Sequence, residues 1–127
     1  MRNHLGNNYV DKAIHFGTRK EDLKTLLPEM QRYAEHIKGL KQAQMRKYFH
    51  EVKKSTFEEV ILLQPMFAYG IGRIKASADP PRVKEAASEF LESLSDIVGK
   101  ISTTQHMQNF KKFMEAIVAY HKYYSKA

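Results

Sequence analysis

Apolar residues in this chain recur three and four positions apart, and in no segment do they alternate with polar ones in the period of two that a strand requires. The clearest case is Met45, Tyr48, Phe49 and Val52, at i, i+3, i+4 and i+7, the spacing of one buried stripe on a helix. Met107, Phe110, Phe113, Met114, Ile117, Val118, Tyr120, His121 and Tyr124 repeat the spacing near the end of the chain over a wider surface. Such a helix is either central to a bundle or a contact for self-association. The pattern predicts an all-α fold, and 127 residues suffice for one domain and one core.

Punctuation residues divide the chain into five or six helices. Residues 1–17 mix Gly6, Asn7 and Asn8 with Tyr9, Val10, Ile14 and Phe16 and read as an irregular N-terminal arm. Thr18 with Glu21 forms a capping-box pattern before Leu23, Leu26 and Leu27, and Pro28 then suits the first turn of a second helix that Gly39 ends. A third helix starts near Lys41. Ser55 with Glu58 is a further capping pattern ahead of Phe57, Val60, Ile61 and Leu63, and Pro65 either kinks that helix or begins another through Lys75. Gly70 and Gly72 within it each cost about 1 kcal/mol against alanine, which suggests close packing of another backbone. Asp79, Pro80 and Pro81 open a helix carrying Val83, Ala86, Phe90, Leu91, Leu94, Ile97 and Val98, which Gly99 stops. Ser102 and Gln105 are placed to cap the last helix.

Most catalytic chemistry finds no support in these residues. The absence of cysteine excludes disulfides, thiolate zinc sites and a cysteine nucleophile. No two of His4, His15, His36, His50, His106 and His121 stand at i, i+4 to one another. His121, on the apolar face of the last helix, reads as a core histidine hydrogen-bonded to a neighbour rather than a proton shuttle. Glu58 and Glu59, or Glu89 and Glu92, fit solvated faces and caps, and no phosphate-cradling glycine loop exists. No cofactor or metal site is expected, and the chain reads as a binding protein. Its polar first ten residues lack the apolar core of a signal peptide, no run reaches membrane-spanning length, and a cytoplasmic location is expected.

Charge points to the partner. Lys and Arg number 21 against 14 acidic residues, a net charge of +7 that favours a polyanion, with nucleic acid ahead of a membrane surface. Lys38 to Lys54 holds six of these bases against the single acid Glu51. On the third helix Arg46, His50 and Lys53 form a row continued by Gln42, with Lys47 and Lys54 further out, and such a row grips phosphates without reading bases. Arg19, Lys20, Arg73, Lys75, Lys111 and Lys112 are placed to extend the path. The same segment, a helix from Pro28, a turn near Gly39 and a basic helix, also fits a helix-turn-helix DNA-binding regulator loosely.

Three stretches carry a family resemblance: LKQAQMRKYFHEVKK from Leu40, LQPMFAYGIGR from Leu63 and FKKFMEAIVAYHKYY from Phe110. Together they resemble the small Csm subunit of type III-A CRISPR effector complexes. The family's Leu-x-x-x-Gln-h-Arg helix start, where h is apolar, matches Leu40, Gln44, Met45 and Arg46, followed by the aromatic pair Tyr48 and Phe49. Its Leu-x-Pro-x-h-Ala-Tyr motif and following Arg match Leu63, Pro65, Ala68, Tyr69 and Arg73, and its terminal motif matches Phe113, Glu115, Ala116, Ala119 and Tyr120. The resemblance spans about Pro28 to Lys122 and leaves the first 27 residues outside.

It implies a non-catalytic helical subunit of an antiviral ribonucleoprotein, stacked in several copies along the duplex of guide RNA and target RNA beside other subunits, one of which cleaves the target. A protein serving any guide must contact phosphate and sugar, since base pairing reads the sequence. Lys41, Arg46, Lys47, Lys53, Lys54 and Arg73 are the expected RNA contacts, with Glu58 or Glu59 as competing partners for Arg73. Tyr69 and Tyr120 are assigned to packing.

Overall fold

In the structure, a computed structural model that describes residues 1–125, seven helices follow one another without a strand among the described residues. They are α1 (Arg2–Leu5), α2 (Tyr9–Ile14), α3 (Lys20–His36), α4 (Gln42–Lys54), α5 (Leu63–Ala76), α6 (Pro81–Val98) and α7 (Thr104–Tyr124), with a 3₁₀ turn at Val60–Leu62 leading into α5. The all-α reading stands, and five of the helices are long.

The last helix is the central one. Met107, Phe110, Phe113, Met114 and Ile117 are all buried, and α2, α3 and α4 pack on α7 while α5 pairs with α6. Each large side chain buried this way contributes roughly 1.5–3 kcal/mol. The width of the apolar surface on α7 is therefore taken up by three neighbours within the chain. The stripe on α6 is buried as its spacing implies, from Ala86 through Phe90, Leu91 and Leu94 to Ile97 and Val98.

Two expectations fail at the start of the chain. In place of an irregular arm, α1 and α2 bury Met1, Leu5, Tyr9, Ala13 and Ile14 in the common core. Gly6, at φ 93°, turns the chain between them into a conformation that only glycine adopts readily, and so interrupts the period. The Tyr9 hydroxyl donates to Asp96 at 2.8 Å, and the buried Asn109 amide donates to the Ile14 carbonyl at 2.9 Å, tying α2 to α6 and α7. The second failure is Pro28, which lies inside a continuous α3. A proline in a helix interior costs about 3 kcal/mol. Leu26, Met30, Tyr33 and Ala34 are buried on either side of it, and together they outweigh that cost.

Helix starts differ in detail from the capping patterns. Thr18 donates its hydroxyl to the His15 carbonyl and does not cap α3, whose N-cap residue is Arg19. Ser55 and Glu58 precede a turn, so Pro65 sits in the first turn of a fresh helix, the second of its two readings. At α7 the cap is Thr103, whose hydroxyl accepts from His106 N at 3.0 Å, one residue beyond Ser102. Gly70 does mark a close approach, of side chains rather than of backbone. A Cβ there would lie 2.7 Å from the Tyr48 hydroxyl and 2.9 Å from Leu91 Cδ1, whereas Gly72 faces open space.

Candidate nucleic-acid interface

Helix α4 is fixed by its inner face. Met45, Tyr48 and Val52 are buried, which leaves Arg46, Lys47, His50, Lys53 and Lys54 exposed on the outer side and Lys41 exposed at the N-cap. Ridges of this kind present charge on a rigid rod, so little side-chain positioning depends on loops.

The two rows on α4 face different neighbours. Arg46 shares a shallow cleft of about 40 Å³ with Gln42, Val118 and Lys122, on the α7 side. Lys47 lines a groove of about 100 Å³ with Gln44, Tyr48, Met66, Tyr69 and Arg73, on the α5 side. The structure thus brings Lys47 and Arg73 to one groove and sets Arg46 with Lys122 at another. Burial raises the pKa of the Tyr48 phenol at the floor of the larger groove, and the nearby Arg73 charge opposes that rise. The phenol stays protonated near neutrality.

Individual bases differ in how free they are. Lys54 pairs with Glu51 at 3.2 Å, an exposed pair worth at most about 1 kcal/mol, so its charge remains available to a stronger partner. Lys53 Nζ lies 5.8 Å from the centre of the Phe49 ring, a cation–π contact that holds the ammonium along the helix surface. Arg73 makes no ion pair with Glu58 or Glu59 among the described residues, where Met1–Glu89, Lys12–Glu29 and Lys54–Glu51 are the pairs formed. Arg19 lies apart from α4. It lines a cavity of about 550 Å³ between α2 and α3 that also holds Asp11, Asp22 and Glu29, so this cavity lacks the single sign an anion would select.

Three groove residues stand outside the expected RNA contacts. Tyr69, assigned to packing, is 67% exposed, while Tyr120 does pack against the core. The buried residues of α5 are Leu63, Phe67, Gly70 and Ile74, and Tyr69 falls on the opposite side of that stripe, a signal present in the spacing. Lys122 and Gln44 carry no such signal, because only the packing of α4 on its neighbours places them.

The helix-turn-helix alternative loses ground on geometry. Helices α3 and α4 each pack on α7 and make little contact with one another, whereas the two helices of that motif form a mutually packed pair. Gln42, at the start of α4, donates to the Ser125 carbonyl at 3.3 Å and is not poised to read a base. Among the described residues no three His, Asp or Glu side chains gather as a metal site, and no helix is long and apolar enough to cross a membrane.

A basic helix framed by two grooves on an all-α body agrees with the motif resemblance, and a family model described as Csm2 Type III-A matches residues 17–127. The chain belongs to the Csm2 family. It is accordingly a small subunit of type III-A CRISPR complexes. The Csm2 match takes in α3 to α7 and all six candidate RNA contacts, begins earlier than the motifs alone suggest, and leaves α1 and α2 outside. No curated protein and no solved structure matches the chain.

Proposed function

We propose that this Csm2-family chain is a non-catalytic, RNA-binding subunit that lays α4 and its two flanking grooves along the sugar–phosphate backbone of guide RNA and target RNA. It acts in the cytoplasm beside the other subunits of the effector complex, in antiviral defence, with no cofactor and no membrane partner. Lys41, Arg46, Lys47, Lys53, Lys54 and Arg73 are the contacts. The observation that carries the reading is the exposed outer face of α4, where Arg46, Lys47, Lys53 and Lys54 stand with one acid, Glu51, which pairs with Lys54 alone among the described residues. Family membership supports it, because a complex that accepts any guide sequence needs subunits that bind phosphate and sugar and leave the bases to pairing.

The test is fluorescence anisotropy of single-stranded RNA, guide–target RNA duplex and double-stranded DNA across a salt series. Sequence-independent RNA binding is expected, with log affinity falling by about 0.7–0.9 per log unit of salt for each phosphate neutralised. Replacing Arg46 and Lys53 together with Gln should weaken all RNA sequences alike and flatten that slope. Unchanged affinity and slope would make the row a solvated helix face, and tight sequence-selective binding to DNA would restore the regulator reading.

A further inference from the structure

Helices α1, α3 and α6 meet at a cleft of about 490 Å³, a volume in the range of small-ligand sites. Its charged and titratable lining is Arg2 and His4 from α1, His36 from α3, and Arg82, Glu85 and Glu89 from α6. None of these residues lines either groove beside α4. Arg2 and His4 also precede the stretch that the family model matches.

Bases outnumber free acids in this cleft. Glu89 is satisfied inside the protein, where it accepts from the Met1 amine, from the Tyr33 hydroxyl at 3.0 Å and from the Ser93 hydroxyl at 2.6 Å. Glu85 is the other acid of the lining, set against the guanidinium groups of Arg2 and Arg82. All three are exposed, and none is in an ion pair among the described residues. Arg82 stands in the first turn of α6, which holds no acid and whose N-cap, Pro80, makes no side-chain bond, so the positive end of the helix dipole adds to its charge.

The two histidines sharpen the preference. The His4 and His36 rings lie 4.8 Å apart between centroids, and His4 rests 5.4 Å from the ring of the buried Tyr33. Burial, then His36, the Met1 amine and Arg32, lower the His4 pKa, and Glu89 opposes them. The part of that shift due to neighbouring charges registers a positive potential, which an anion entering the cleft relieves.

We infer that this cleft binds a phosphate group, with Arg2 of α1 and Arg82 of α6 gripping its oxygens and the protonated imidazoles of His4 and His36 donating to it. Guanidinium forks match phosphate oxygens in pairs, and a charged imidazole donates from both nitrogens. Binding therefore takes up protons, and it tightens as pH falls. A mononucleotide and the 5′ end of an RNA strand both carry such a group. The site stands independently of the RNA-backbone reading of α4.

NMR titration of the full chain, following the imidazole signals, tests it with AMP, adenosine and sulfate, a dianion whose charge is constant across the pH range used. AMP and sulfate should shift the His4 and His36 signals saturably, at one site per chain, with a Kd on the order of 1 mM or tighter, and adenosine should not. Sulfate should bind at least about tenfold more tightly at pH 5.5 than at pH 7.5. Arg82→Gln should weaken both anions at least about tenfold, and Arg2→Gln with Arg82→Gln should abolish the shifts, with unchanged helicity by circular dichroism. A hexanucleotide that binds more tightly with a 5′-phosphate than AMP does assigns the group to a strand end, and the reverse order assigns it to a free nucleotide. Signals that stay fixed up to about 20 mM anion, equal shifts with adenosine and AMP, a sulfate affinity flat with pH, or full affinity in Arg82→Gln would overturn the site. Arg82→Gln should keep its affinity for an RNA duplex with 5′-hydroxyl ends, and the Arg46 and Lys53 variant should keep its affinity for AMP, so failure of this site and failure of the α4 reading are told apart.

Discussion

His121 Nε2 lies 2.7 Å from the carbonyl oxygen of Leu40, joining the last turns of α7 to the segment that enters α4. Both residues are buried. A carbonyl only accepts, so Nε2 carries the hydrogen and donates it, which is the core-histidine role its place on the apolar face of α7 implied.

A pH dependence follows from this bond. Burial lowers the His121 pKa from its ordinary 6.5, with the bond to Leu40 opposing the shift. His4 shifts the same way through burial and the neighbouring His36. As pH falls below about 6.5 the unfolded chain takes up protons that the folded chain resists, so stability present above that pH is lost, by at most about 1.4 kcal/mol per unit for each histidine, until the folded pKa is reached. Urea unfolding between about pH 5 and 7.5 should show the decline, and His121→Gln, which keeps a donor for Leu40 and removes the titration, should make it shallower. A variant as steep as the wild type would remove His121 from the account.

The two glycines of α5 should respond oppositely to alanine. At Gly70 a methyl meets Tyr48 and Leu91, both buried, and overpacking of this kind costs about 1–3 kcal/mol, more than the helix propensity gained. At Gly72 the space is open, and Gly72→Ala should stabilise the monomer by up to about 1 kcal/mol. Thermal unfolding of both variants at low concentration decides it, with equal shifts in one direction counting against the packing described.

Thr103→Ala should destabilise the chain by about 1 kcal/mol through loss of the α7 cap, a fall of several degrees in Tm for a domain of this size. Ser102→Ala, at the position that the sequence pattern favoured, should cost about 0.5 kcal/mol or less. Calorimetry of the pair would show the reverse order if the cap were misplaced.

In the larger groove, Lys47→Gln with Arg73→Gln should weaken RNA binding and lower the salt slope by about 1.4–1.8, the share of two phosphate contacts. The Arg46 and Lys53 pair should do the same from the other side of α4. A salt slope changed by one pair and untouched by the other would show which flank meets the RNA.

The elements read correctly from sequence are those in which local and tertiary forces agree. Helix α4 has an uninterrupted stripe from Met45 to Val52, and α6 has a proline start and a glycine stop, so its bounds are nearly those expected. Pro28 misled because its local preference for a helix start was overridden by burial of Leu26, Met30 and Tyr33, a tertiary effect that no window of sequence displays. The apolar spacing of Leu5, Tyr9 and Ala13 is helical, but the turn at Gly6 hid it as irregular chain.

The site divides along the same line. That α4 is basic and turned outward follows from its own periodicity. Which bases share a groove does not, because the meeting of Lys47 with Arg73 depends on α5 lying close enough to α4 for Tyr48 to rest against Gly70. The exposure of Tyr69 was legible in principle, since Phe67 and Gly70 define the inner face, but its family motif drew it toward packing.

The family model's match begins at Gly17, yet the helices before it close one side of the core. Cutting where that match begins would uncover the surface of α3 on which α1 rests and those of α6 and α7 on which α2 rests, and would strip Asn109 of its buried acceptor. For this chain the stretch that the family model matches is shorter than the unit that folds.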